Sequence, residues 1–263
     1  MMAIVDPTRT AFLLSLLLFF GILACLEIGH RIGRRRLEGA GEAARAGIGA
    51  LEGAIFGLLG LLIAFTFSGA VSRFDSRRHL IVQEANIIGT AYLRVDVLPN
   101  AAQPALRENF RRYVDSRLAA YQKLPDIAAM RAELARANGI LTELWTQAVR
   151  ACRLPDSHSS ACMLLLPAMN ETIDIATTQT MVAQIHPPGT VFAMLFALAL
   201  ATALLAGYGL AGGASRNWLH MVGFSAILAL TFYVILDLEY PRLGLIRIDA
   251  IDQALIDVRA GMK

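Results

Sequence analysis

Charge is scarce in this sequence. Asp, Glu, Lys and Arg supply 17% of its 263 residues, where soluble domains carry about 25%. The two signs nearly balance, leaving a net +3, too little to suggest nucleic acid as a partner. Cysteine is scarcer still, with three residues. There is no nucleophile elbow, zinc-protease helix, phosphate-cradling glycine loop or supported pair of carboxylates. Those absences argue against an enzyme and point to no cofactor and no metal. An alternating apolar–polar strand pattern, an internal repeat and a low-complexity tract are missing too.

What is present is apolar. Hydrophobic residues make up 56% of the chain, and they concentrate in four runs, Ala11–Ile28, Ile48–Ala70, Thr190–Ala211 and Trp218–Leu236. Each is long enough as a helix to cross a hydrocarbon core of ~30 Å. A backbone in lipid must satisfy its own hydrogen bonds, so such runs read as helices. The first run ends at Glu27 and an arginine cluster rather than at a small-residue cleavage site, and is expected to be retained. The expected fold is all-α, with four transmembrane helices and a helical-bundle insert between spans two and three. The chain divides into residues 1–70 (spans one and two), 71–188 (the helical insert), 189–237 (spans three and four) and 238–263 (a tail).

The short loop His30–Gly47 holds Arg31, Arg34, Arg35, Arg36 and Arg45, and Gly212–Asn217 holds Arg216. Positive charge in short loops marks the cytoplasmic side. This favours an inner-membrane protein with both termini and the insert in the periplasm. Arg73, Arg77, Arg78, Arg242 and Arg247 pull the other way, but long domains translocate largely regardless of charge. Cys152 and Cys162, ten residues apart across a polar loop, can bridge in an oxidising compartment; the alternative is two unrelated thiols. A site combining them with His158 lacks a fourth metal ligand at familiar spacing.

Span two does not stop at the membrane. Phe74, Ile81, Ile88 and Val95 recur every seven residues, with Arg78, Ala85 and Tyr92 four after the first three. That spacing predicts a helix with a packed seam, from about Gly49 to Leu98 and roughly 75 Å long at about 1.5 Å per residue. After the PNAAQP turn, Leu106, Phe110, Tyr113, Val114, Leu118 and Tyr121 form the apolar face of a second insert helix. Pro125 breaks it and Asp126 can cap a third, running to about Ala151. Ala161–Gln184, containing Pro167, is a fourth, and His186-Pro187-Pro188-Gly189 a hinge. In the tail, LIRID reads as a short extended piece and AIDQALIDVRAG as a terminal helix.

Several groups could carry function. Gly49, Gly53, Gly57 and Gly60 make a smooth row on span two that lets another helix approach, in this chain or another. Beside it, Glu52, Phe56, Ile63 and Phe67 form a stripe able to line a pore, with a carboxylate near one mouth and an apolar constriction deeper in. The same stripe could face lipid or a neighbouring helix. Glu52 and Glu27 can pair with Arg31 or Arg45 near the interface, and Asp237 and Glu239 lie close in sequence to Arg242. On the extended helix stand Asp75, His79, Glu84, Asn86 and Arg94. The first two, at i,i+4, are too few for a firm metal site, and Glu84 and Asn86 could meet a basic side chain of a neighbouring helix.

AFTFS at Ala64–Ser68, RFDSRR at Arg73–Arg78, EANIIGTAYLR at Glu84–Arg94 and DLEYPRLGLIRID at Asp237–Asp249 resemble a bacterial family of four-span proteins described as carrying a bestrophin-like domain. The resemblance implies two spans, a helical domain, two spans and a tail. Bestrophins proper are pentameric anion channels whose second span lines the pore with an apolar neck. Carried over, that neck falls on Phe56, Ile63 and Phe67. The acidic calcium clasp of animal bestrophins has no counterpart here. The resulting expectation is a homo-oligomeric ion channel, a pentamer by analogy, in contact with membrane lipid and small inorganic ions. A sensor or scaffold coupled to a partner membrane protein is the alternative.

Overall fold

A computed structural model describes residues 7–37, 42–212 and 218–263. Among them there is no strand. The chain is all-helical: α1 (Pro7–Leu37), α2 (Glu42–Arg94), α3 (Gln103–Gln122), α4 (Ile127–Cys152), α5 (Ser159–Gln184), α6 (Gly189–Gly209), α7 (Trp218–Leu238) and α8 (Gln253–Gly261), with short 3-10 turns after α2 and α6 and before α8. Four helical stretches are long and apolar enough to cross a membrane. The loop around Arg216 lies outside the described residues.

The helices sort into two compact units. The first comprises Met1–Arg73 and His186–Ile246. Its core is built by Leu18, Ile22 and Leu26 of α1, Leu59 of α2, Leu195, Ala199 and Ala203 of α6, and Met221 and Phe232 of α7. The tightest crossing is α1 on α6. A Cβ on Gly29 or Gly33 would collide with the backbone of Leu204 or Tyr208, and one on Gly207 with the backbone of Leu26. Glycine is required there because the two backbones touch. Ala199, Ala203 and Gly207 are all buried in this seam.

The second unit comprises Phe74–Ile185 and Arg247–Lys263. The seven-residue rhythm of α2 is its origin: Ile81, Ala85, Ile88, Tyr92 and Val95 are all buried. They pack on Leu106, Phe110, Tyr113 and Val114 of α3, Leu144 of α4, and Leu165 and Met169 of α5. Buried positions on α4, at 137, 140, 141, 144, 148 and 151, follow the spacing of one helical face. Helix ends use local chemistry. Pro104 sits in the first turn of α3, where a missing N–H costs nothing. Asp126 caps α4 by accepting from the Ala129 N–H at 2.9 Å. Cys152 and Cys162 form a disulfide, Cα atoms 5.7 Å apart, closing the α4–α5 loop. The tail closes the unit through fully buried Leu255, through Val258 over Gly89 and through an Arg259–Asp115 ion pair of 2.7 Å. Arg259 is held above the ordinary arginine range by its hydrogen bond to Asp115. The segment expected to be extended, LIRID, is instead a bend leading into a 3-10 turn, with Arg247 paired to Asp249 at 2.6 Å.

Candidate functional site

Three faces define α2 inside the first unit. One is packed: Leu59 is buried, Ile63 and Leu62 lie against the core, and the Phe56 ring meets Phe224 of α7 edge-on at 5.8 Å. A second, with Leu58, Leu61 and Phe65, is exposed and bulky. Between them runs the glycine row. Gly49, Gly53, Gly57 and Gly60 are exposed, and a Cβ on any of them would meet nothing within 4 Å among the described residues. Among the described residues the row therefore serves no close crossing; that work falls to Gly29, Gly33 and Gly207. The pore-stripe candidates separate. Phe56 and Ile63 turn toward neighbouring helices, Glu52 packs its carboxylate over Gly209 at the end of α6, and Phe67 stays 41% exposed, on the same side as the glycines. Glu27 pairs with Arg31 at 2.6 Å.

Where α7 ends, two carboxylates organise the chain. Asp237, buried, accepts from the N–H of Leu245 (3.0 Å) and of Ile246 (2.8 Å) and from the Tyr233 hydroxyl (3.3 Å). Gly244 has no side chain because one would strike that carboxylate. Glu239, also buried, receives Arg73 of α2 (Nε–Oε1 3.0 Å) and lies 3.4 Å from Nδ1 of His186, whose ring stacks on Tyr240. One carboxylate thus ties together α2, the entry to α6 and the exit of α7. The stretch RFDSRR and the ending DLEYPRLG, far apart in sequence, meet here.

In the second unit the polar residues of α2 do not form one cluster. Asp75 pairs with Arg78 at 3.2 Å, His79 and Asn86 are exposed, and Arg94 donates to the Leu164 carbonyl at 2.7 Å. Glu84 alone is fully buried. Arg117 of α3 meets it at 2.8 Å, and Gln179 of α5 donates to it, also at 2.8 Å. Arg117 also donates to Gln179 and to the Tyr121 hydroxyl. Burial opposes the Arg117 charge, but the charges of Tyr121 and Glu84 outweigh it and hold its pKa above the ordinary arginine value. Burial, and then the Glu84 charge, push Tyr113 well above the ordinary tyrosine range. Arg117 and Gln179 were not singled out from sequence. The available signal is spacing, since Arg117 falls four after Tyr113 and seven after Phe110, on the apolar face of α3.

A family model described as a bestrophin-like domain matches residues 20–251. The chain belongs to the bestrophin-like family. Among solved structures, it is similar to two single-substitution variants of a bacterial bestrophin homologue from Klebsiella pneumoniae. One superposes with a TM-score of 0.64 at 16% identity, covering 95% of this chain and 99% of that one. The other gives 0.63 at 16% identity, covering 96% and 98%. A third, a membrane protein variant, gives 0.57 at 15% identity over 97% and 99%. No curated protein matches the sequence significantly. The all-helical plan expected from the four apolar runs is thus the bestrophin-like fold, and the chain is a multi-pass membrane protein.

Proposed function

We propose that this bestrophin-like protein is a homo-oligomeric ion channel of the bacterial inner membrane, with α2 lining the pore. The observation that carries the reading is the free face of α2. Gly49, Gly53, Gly57 and Gly60 are exposed, and among the described residues no helix comes within 4 Å of where their Cβ atoms would stand. Small residues on a lipid-facing surface bring no advantage, whereas on the face turned to other copies and the axis they leave room for a path. Within one protomer α1, α2, α6 and α7 share a packed apolar core, so a path along α2 is one that a ring of copies would supply. Phe67, on the same side, is then the apolar constriction, in place of the full stripe of Phe56, Ile63 and Phe67. Phe56 and Ile63 support it from behind, through Phe224 and the core of the first unit. A ring of five is the size suggested by bestrophins proper. The Cys152–Cys162 disulfide supports a periplasmic insert, because such bonds persist in oxidising compartments.

The test is ion flux through liposomes carrying the purified protein. Phe67→Ala should raise flux by about tenfold or more if a dewetted constriction is widened. Equal flux in Phe67→Ala and the wild type, with assembly unchanged, would contradict the assignment. A monomer or simple dimer in the same preparation would turn the reading toward a sensor or scaffold.

A further inference from the structure

The outer face of α1 is apolar along its length and ends in positive charge. Leu18, Ile22 and Leu26 bury the inner side of the helix. On the opposite side Leu13, Leu17, Phe20, Ala24 and Ile28 recur every three or four residues, all exposed. At that spacing the stripe runs on into Arg31 and Arg35, with Arg34 and Arg36 to either side. Arg31 is engaged by Glu27. Arg34, Arg35 and Arg36 fill the last turn of α1. They are exposed, and among the described residues they have no acidic partner. The sequence that follows does not cancel them: from Arg34 to Arg45, four arginines stand against two glutamates, Glu38 and Glu42.

These arginines stand at the height of a headgroup layer. Gly33, beside them, sits against Tyr208 and Ala211 at the end of α6. After a short loop, α7 starts on the same side with Trp218, which is 51% exposed. Tyrosine and tryptophan gather at the membrane–water boundary. From Arg35 back to Ala24 is about 16 Å of helix, the depth of one leaflet of a hydrocarbon core ~30 Å thick. An uncompensated cluster of cations thus caps an apolar strip one leaflet long.

We propose that the end of α1 is a docking site for an anionic phospholipid of the phosphatidylglycerol class. Its phosphodiester is held by Arg34, Arg35 and Arg36, and an acyl chain lies along Ile28, Ala24 and Phe20. Guanidinium forks suit phosphate oxygens, and basic clusters directly beside a span attract anionic lipid. A zwitterionic lipid carries its own cation, which these arginines repel. Free phosphate would meet the charge and leave the apolar strip uncovered. The inference does not rest on α2 lining a pore.

The experiment is thermal unfolding of the purified full-length protein in neutral detergent at constant ionic strength. The micelles carry phosphatidylglycerol or phosphatidylcholine with the same acyl chains. The wild type should show a saturable rise in Tm of roughly 2–5 °C with phosphatidylglycerol and little with phosphatidylcholine. Inorganic phosphate at the same concentration should have no effect. The triple variant Arg34→Gln/Arg35→Gln/Arg36→Gln should need at least tenfold more phosphatidylglycerol for the same rise, since each charge near a membrane surface is worth about fivefold in affinity. Arg78→Gln, at an exposed arginine already paired with Asp75, should behave as the wild type. Should the triple variant fail to fold, native mass of the wild type supplies the answer: phosphatidylglycerol should be retained and phosphatidylcholine shed. Equal rises with both lipids, a rise with inorganic phosphate alone, or an undiminished preference in the triple variant would overturn the proposal. So would arginine-dependent self-association that neither lipid alters, which would mark the face as a contact with a second copy. None of these readouts involves permeation, so a silent flux assay leaves the test standing.

Discussion

At the scale of single residues, the deciding contrast is between groups that look alike in sequence and differ in partner. Glu84 and Asn86 stand two positions apart on α2, yet one is fully buried against Arg117 and Gln179 and the other is exposed. Removing one member of a buried ion pair leaves the other charge uncompensated. Arg117→Met should therefore cost about 3–5 kcal/mol in urea unfolding, and the double variant Glu84→Leu/Arg117→Met should recover most of that loss. A near-additive double variant would mean the pair is not coupled. Tyr113 adds a pH dependence. Its folded pKa is raised above the unfolded value of about 10. The neutral phenol is thus the form the fold prefers. Its contribution is fully present below pH ~10 and is lost as pH rises toward the folded value. Urea midpoints between pH 9 and 11 should fall more steeply for the wild type than for Tyr113→Phe.

At the scale of elements, two glycine rows have opposite roles, and their spacing alone does not tell them apart. Gly29, Gly33 and Gly207 hold α1 against α6 backbone to backbone, whereas a Cβ on Gly49, Gly53, Gly57 or Gly60 would meet nothing within 4 Å among the described residues. Gly207→Val should abolish folded protein in detergent, because neither backbone can yield. Gly57→Val should leave the protomer folded and impair assembly, measured by circular dichroism beside native mass. The fold was legible in the sequence wherever a period was sustained. The heptad of Phe74, Ile81, Ile88 and Val95 located the packed seam of α2, and Asp126 located the start of α4. What escaped was partnership. Helical spacing places Glu52, Phe56, Ile63 and Phe67 near one another on α2, but which of them meets α6, α7 or nothing depends on helix crossings fixed by Gly29 and Gly207. The same holds for Arg73 and Glu239, 166 positions apart, whose contact no local pattern encodes.

For the whole molecule, compartment and assembly remain the consequential properties. Of three cysteines, Cys152 and Cys162 are paired and Cys25 is free. Protein denatured without reductant should accordingly react with one equivalent of thiol reagent per chain, and with three after reduction. Three before reduction would argue for an insert in the reducing cytoplasm.

The central claim is that copies of this chain close into a ring with the glycine face of α2 turned to its axis. The measurement that tests it most directly is particle imaging of the protein purified in mild detergent, resolved well enough to place α2. The account predicts a closed ring of four or more copies, with Gly53, Gly57, Gly60 and Phe67 nearest the axis. A monomer or dimer, or a ring in which this face meets detergent, would contradict it.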